Sequence, residues 1–419
     1  MAIHYVTAWY AKTLGLFQQP GYAGEFAFVS TNSITQGEPV PTLFRPIFAA
    51  GWRIKFAHRT FAWTSEAPGA AAVYCVVIGF DHHTRGQSRL WHYPPNDLKG
   101  KGQEINASNI NGYLADAPNV MAEQRRDQLS PSIPGAVFGN VPRDGGCLIV
   151  EPDAYAEFAA DPYAAKYLRP YVGARELING GDRHCLWLTD LDPADVRRSE
   201  PLRRRIEACR TWRLESKAQQ ARDAAETPQL FWYRSHRDVP HLVIPRASSE
   251  TRNFLPCAYV GSEVISSDGN CTVEDPDGFA FAVVSSSAFM AWQRAVGGRL
   301  KSDYRFSNTL TWNTFPLPAV TDTQRAQIIE GGKQVLAARE LHPDWSLAQH
   351  YDPLTPDPAL LKAHAQLDRA VDAVFGLKNP SEAERLAALF KSYEQLTTAN
   401  QLPLTKQRRT PRKLAPTPK

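Results

Sequence analysis

The chain has 419 residues, 43% of them hydrophobic and 21% charged, with a formal net charge of +4. That balance is ordinary for a globular protein of two or three domains and excludes a uniformly basic or low-complexity chain. The longest apolar run, Ala70 to Phe80, is too short to cross a bilayer, and Met1 to Tyr10 lacks the basic start and apolar core of a signal peptide.

From the N-terminus, His4 to Phe17 carries apolar residues at helical spacing (Tyr5, Trp9, Tyr10, Leu14). Glu25 to Val29 reads as a strand, Ser30 to Ser33 as a polar turn, and Glu38 to Ala50 as a proline-punctuated helix. Strands are expected over Arg53 to Ala57 and Ala71 to Phe80. Helix–strand–helix–strand–strand is the pattern of the second half of an α/β sheet, and it begins abruptly. Residues 81–180 are rich in loops, with turns at Tyr93 to Asn96, Asn111-Gly112 and Arg143 to Gly146. A long charged helix is expected from Pro193 to Glu226, and its Arg197, Arg198, Arg203, Arg204 and Arg205 either face phosphates or form a solvated face. Short strands follow at Phe231 to Tyr233, His241 to Ile244 and Phe279 to Val284, then a helix from Ser287 to Val296. Beyond Pro318 the pattern is helical: Asp322 to Leu341, Pro358 to Phe375 and Ser381 to Leu396.

Charge is unevenly spread. After Glu394 the tail holds Lys406, Arg408, Arg409, Arg412, Lys413 and Lys419 and no acid, and without it the body is slightly acidic. A nucleic-acid role therefore rests on local patches, with the proline-rich tail a disordered terminus or a tethering arm. Cys75, Cys147, Cys185, Cys209, Cys257 and Cys271 show no C-x-x-C spacing, which argues against disulfides or zinc and fits a reducing cytoplasm.

Several short motifs carry little. Ser235 to Asp238 contains the HRD triplet of kinases without a Gly-rich loop or D-F-G, and Glu215-Ser-Lys217 has a nuclease-like spacing on a predicted helix. Asp81-His82-His83 is a possible metal ligand set on a turn, where solvent exposure is the commoner outcome. Tyr93 to Asn96 lacks the leading Asn or Asp and the final aromatic of an amino-methyltransferase loop. No Gly-rich turn joins a strand to a helix, because Gly145-Gly146 precedes a strand.

Longer stretches are more informative. Ala27 to Val40 and Ile54 to Ala67 resemble the later part of the catalytic domain in MmeI-like adenine DNA methyltransferases, a family of restriction-modification and phage-defence systems. The resemblance continues through Leu168 to Gly173, Cys185 to Leu188 and Ile244 to Glu250, and is sharpest in Ala291 to Ser307 and Trp312 to Pro316. Tyr351 to Leu354 and Ala363 to Ala370 are similar to the family's helical C-terminus, so the likeness spans about His4 to Leu396.

The resemblance implies an α/β fold, a partial Rossmann-like methyltransferase sheet over residues 1–85. An α+β target-recognition region over 86–318, a small helical domain over 319–396 and a basic tail over 397–419 follow. The implied function is sequence-specific recognition of double-stranded DNA within an enzyme that methylates the adenine amino group from S-adenosylmethionine. In this family the donor-binding turn and the Asn-Pro-Pro-aromatic loop lie upstream of the stretch that His4 to Tyr10 resembles. No catalytic residue, metal or bound donor is therefore expected of this chain alone. The alternatives are completion by a separately encoded N-terminal methyltransferase half, or an inactive truncated remnant.

Roles for the remaining residues come from the same resemblance. Enzymes that modify a base swing it out and hold it against aromatic side chains. Phe61 and Trp63, expected in the loop after a strand, would form that wall or else pack in the core. Arg246, Ser248, Ser249, Arg252, Arg299 and Arg305 are candidates for DNA binding, where half or more of the contacts go to phosphate and sugar. Lys301 and Asp303, two apart on an expected strand, would point the same way. Lysine suits the acceptors of guanine and aspartate the amino group of cytosine; the alternative is a surface ion pair.

Overall fold

Aromatic residues of the first helix and the first strands build the first layer of the core. The computed structural model describes residues 5–63, 73–82, 86–94, 97–300 and 303–401. Helix α1 (Thr7–Phe17) and α2 (Pro39–Ala49) pack beside β1 (Phe26–Thr31), β2 (Arg53–Trp63), β3 (Val73–Asp81), β4 (Ser88–His92) and β5 (Gln103–Ala107). The sheet order is β1-β3-β2-β4-β5, with only β2 and β4 parallel. Tyr10, Phe44, Ile47, Trp52, Ile54 and Phe80 are buried between its layers. Because β4 and β5 join this sheet, it runs well past the expected boundary at residue 85.

The recognition region holds a satellite inserted after β6 (Ala136–Phe138). Its elements are β7 (Ile149–Val150), α3 (Tyr155–Ala160), β8 (Leu168–Val172), α4 (Ala174–Asn179), β9 (His184–Leu186), α5 (Pro193–Arg198), α6 (Glu200–Glu215) and α7 (Gln219–Asp223). They enclose a separate core of Leu148, Phe158, Tyr171, Leu186, Leu202 and Phe231. The long helix expected from Pro193 to Glu226 is thus broken. Ser199 takes extended backbone and caps α6 through Leu202 N, and Pro201 at the helix start has no N–H to continue α5. Arg213 is fully buried and donates to the carbonyls of Pro142, Arg143, Ala224, Thr227 and Leu230 at 2.7–3.0 Å.

The chain returns through β10 (His241–Pro245), β11 (Ala247–Ser248), β12 (Ala258–Val260), β13 (Ile265–Ser266) and β14 (Asn270–Val273), then α8 (Phe279–Val284), α9 (Ser287–Val296), β15 (Gly298–Leu300) and β16 (Asp303–Arg305). Three small sheets result: β12-β10-β14-β6, β13-β8-β9-β7 and β11-β16-β15. Phe231 to Tyr233 makes only one bridge, Val141 to Tyr233, and no strand. Phe279 to Val284 is a helix rather than a strand. Asp275 accepts from the N–H groups of Ala280 and Phe281, and all six side chains of the helix are buried, so no periodicity could distinguish the two.

Helices α10 (Asp322–Arg339), α11 (Leu347–His350), α12 (Pro358–Val374) and α13 (Glu382–Gln401) close the fold. Two glycines in α10 allow it to be gripped from both sides. A Cβ on Gly331 would stand 2.9 Å from Leu367 Cα, and one on Gly332 2.8 Å from Ala282 Cβ. Beneath α10, Arg339 donates to the carbonyl of Cys257 and the hydroxyl of Tyr351. Tyr351 in turn bonds His364 Nε2 at 3.0 Å, while His364 Nδ1 donates to Ser285 O at 3.1 Å. The basic tail beyond Gln401 lies outside the described residues, as does Lys301.

Candidate nucleic-acid interface

The three-stranded sheet β11-β16-β15 sorts the charged residues around it by face. Its register pairs Ala247 with Arg305 and Ser248 with Tyr304, then Gly298 with Arg305, Arg299 with Tyr304 and Leu300 with Asp303. Cross-strand partners share a face. Ser248 and Tyr304 are buried, so their face is the inner one, and Arg299 lies on it with its guanidinium 4.5 Å from the Tyr304 ring. Glu250 sits 3.8 Å from Arg299. The outer face presents Asp303, Arg305, Leu300, Ala247 and Gly298, the first four of them exposed.

Arg246 stands beside this face, where the chain passes from β10 to β11. Its guanidinium lies 4.2 Å from the Phe138 ring and donates to the Asp268 carbonyl at 2.8 Å, and its Nε is buried without a partner. Burial holds its pKa below the ordinary arginine value, and the charge of Arg305 acts in the same direction. Asp303 accepts from the Glu250 N–H at 3.3 Å and pulls against the burial that lowers the Arg252 pKa. Ser249 bonds Thr251 Oγ1 at 2.9 Å.

Of the expected DNA-binding residues, the structure brings together Arg246, Asp303 and Arg305, with Arg252 near Asp303. Ser248 and Arg299 turn inward. β15 ends at Leu300 and β16 begins at Asp303, and the Lys301 of the expected pair lies outside the described residues. The neighbour of Asp303 across the hairpin is Leu300.

Phe61 and Trp63 lie within β2, not in a loop after it, because pairing with β3 continues to the Trp63–Val73 register. A register shift between His58 and Phe61 interrupts the pairing before it resumes to Trp63. Trp63 is half-exposed and its ring centroid is 6.3 Å from that of Phe61. Phe61 leans on Tyr93 at 5.4 Å, and Tyr93 shares a 2.8 Å hydrogen bond with His58 Nδ1. His58 stacks on Trp91 at 4.4 Å and 5°. Burial lowers the His58 pKa and raises that of Tyr93. Sequence reading missed His58, Trp91 and Tyr93 as a support for Phe61. The signal was the aromatic run around Trp91, which only the pairing of β4 with β2 brings alongside.

The metal set does not assemble among the described residues. Asp81 pairs with Arg53 at 2.7 Å, His82 lies against Trp52, and His83 is outside the described residues. Of the candidate phosphate-facing arginines, Arg204 pairs with Glu157, Arg205 donates to backbone carbonyls, and Arg197, Arg198 and Arg203 are exposed. Between β1 and α2 the chain passes close to the recognition segment: a Cβ on Gly37 would stand 3.3 Å from the Cα of Gly298.

Comparison with known proteins gives a consistent picture. Family models for the MmeI DNA-methyltransferase, target recognition and C-terminal domains match residues 1–92, 116–319 and 320–400. DNA methyltransferase A of Bacillus subtilis (strain 168) is 32% identical over 398 residues, covering 94% of this chain and 44% of the relative. The type IIL restriction-modification enzyme MmeI, solved in complex with DNA, superposes with a TM-score of 0.84 at 40% identity, covering 94% of this chain and 52% of that one. The chain spans about half the length of these relatives.

Proposed function

The chain belongs to the MmeI family, carrying its methyltransferase, target recognition and C-terminal segments in order, and from that premise we propose that it recognises a specific sequence in duplex DNA for adenine methylation. The observation that carries this reading is the outer face of β11-β16-β15. A donor, Arg305, and an acceptor, Asp303, stand exposed and two residues apart on one strand, with Arg246 beside them. Side chains of this kind discriminate base edges in the major groove, and Arg252 and Arg246 are suited to phosphate. Lys301 is assigned to the same reading role on the family resemblance. Trp63 and Phe61 support the displaced adenine, braced by Tyr93 and His58.

Use of S-adenosylmethionine belongs to the complete enzyme. A second reading, in which a separately encoded polypeptide supplies the donor-binding part, is favoured by one observation. Among the described residues β1 pairs only with β3, leaving a strand edge open, and Val29 on that strand and Tyr5 and Trp9 before it are exposed.

The test is selection of bound duplexes from a random pool with the full chain. One enriched sequence is expected, altered at a single base pair by Arg305→Ala and at another by Asp303→Ala. A bound pool no different from the input overturns the reading.

A further inference from the structure

Leu300 is a large apolar side chain in a position where the fold has no use for one. It is 58% exposed, at the end of β15, and its cross-strand partner is Asp303. Arg299 and Tyr304, the next pair, take the inner face, so Leu300 points outward with Asp303 and Arg305. Single exposed leucines are ordinary on protein surfaces. This one stands in the row of Asp303, beside a second row in which Arg305 is flanked by Ala247 and Gly298. A Cβ on Gly298 would meet nothing within 4 Å, so no internal contact demands glycine there. The outer face therefore offers a donor, an acceptor and an apolar group, with low ground on both sides of the donor.

We propose that Leu300 packs on the C5-methyl group of a thymine next to the base pair that Asp303 reads, and so helps to set sequence specificity. The thymine methyl is the apolar feature of the major-groove edge, and apolar side chains recognise it by contact. Cross-strand neighbours are about 5 Å apart, against a rise of about 3.4 Å per base pair, so paired residues can meet adjacent steps. This assignment rests on the reading of the sheet as a base-reading surface.

The experiment measures binding of the full chain to its selected duplex, prepared with thymine or with uracil throughout. The chain should bind thymine DNA about three- to fivefold more tightly, the effect of burying one methyl group. Leu300→Ala should bind both duplexes equally, near the affinity of the unaltered chain for uracil DNA, with an unchanged melting temperature. Equal binding by the unaltered chain, discrimination retained by Leu300→Ala, or a selected site without thymine overturns the proposal. Failure of the underlying reading looks different: no sequence is selected, or Asp303→Ala and Arg305→Ala select the original one.

Discussion

Gly37 and Gly298 meet where the methyltransferase segment touches the recognition sheet: a Cβ on Gly37 would stand 3.3 Å from the Cα of Gly298. Gly37 also has φ +63°, a conformation that costs other residues about 1–2 kcal/mol. Gly37→Ala should lose roughly that much stability and weaken DNA binding by displacing the hairpin. Gly298→Ala places its methyl in open space and should leave the melt unchanged while reducing DNA affinity. Thermal unfolding and fluorescence anisotropy on a labelled duplex measure both. Equal effects of the two changes on stability would contradict the contact.

Asp303 makes a directional claim about specificity. Asp303→Ala should relax selection at one base pair, with a loss of roughly 1–3 kcal/mol against the preferred base. The exchange Lys301→Glu with Asp303→Arg should shift preference to the reversed orientation of that pair. Sequencing of selected duplexes decides it, and an unchanged selected site would reduce Asp303 to the anchor of the Glu250 N–H.

Phe61 and Trp63 should matter to base displacement and little to affinity for intact duplex. Stacking on an aromatic is worth roughly 1–3 kcal/mol per base. In a complete methylating enzyme, Trp63→Ala should therefore slow methylation of duplex DNA by about tenfold. Tyr93→Phe, which keeps the ring and loses the bond to His58, should cost less. If neither Phe61→Ala nor Trp63→Ala changed the methylation rate, the aromatic wall would be a packing feature only.

Arg213 anchors the satellite from within. Arg213→Met removes the donor to five buried or partly buried carbonyl groups and should destabilise that unit by about 3–5 kcal/mol. Hydrogen exchange should rise across residues 143–232 before it rises in the methyltransferase sheet. Uniform exchange throughout the chain would show that the satellite does not unfold separately.

His364 ties stability to pH. Burial, reinforced by Arg339, pushes its pKa down to about 3, whereas in the unfolded chain it titrates near 6.5. Unfolding between those values takes up a proton, so this contribution is complete above pH 6.5 and drains away as the pH falls toward 3. The slope from this group is at most about 1.4 kcal/mol per pH unit. His364→Gln should flatten the dependence of urea unfolding on pH over that window, and an unaltered slope would remove His364 from the account.

Much of the first sheet was legible because Phe26 to Thr31 and Val73 to Asp81 are apolar strands bounded by polar turns. The C-terminal helices were legible from their caps, Thr321, Asp357 and Ser381. Phe279 to Val284 was not, since a fully buried segment leaves no alternation to read. The break at Ser199 followed from Pro201, a local signal outweighed by the run of arginines around it. The outer face of β11-β16-β15 was legible only in part. Its charged residues are consecutive enough to notice in Arg299 to Arg305, but which of them face outward depends on the pairing of β11, β15 and β16. Support of Phe61 by Tyr93 and His58 depends likewise on the parallel pairing of β2 with β4.

The sheet that carries Asp303 and Arg305 consists of strands only two or three residues long, held from below by Tyr304 and Ser248. Apart from the bond of Asp303 to the Glu250 N–H, its outward side chains contribute little to holding the fold. A lineage carrying this protein can therefore substitute Leu300, Asp303 or Arg305 by neutral drift without crossing the stability threshold that purges most core changes. If that face reads DNA as proposed, target preference can change while the backbone that carries it is kept.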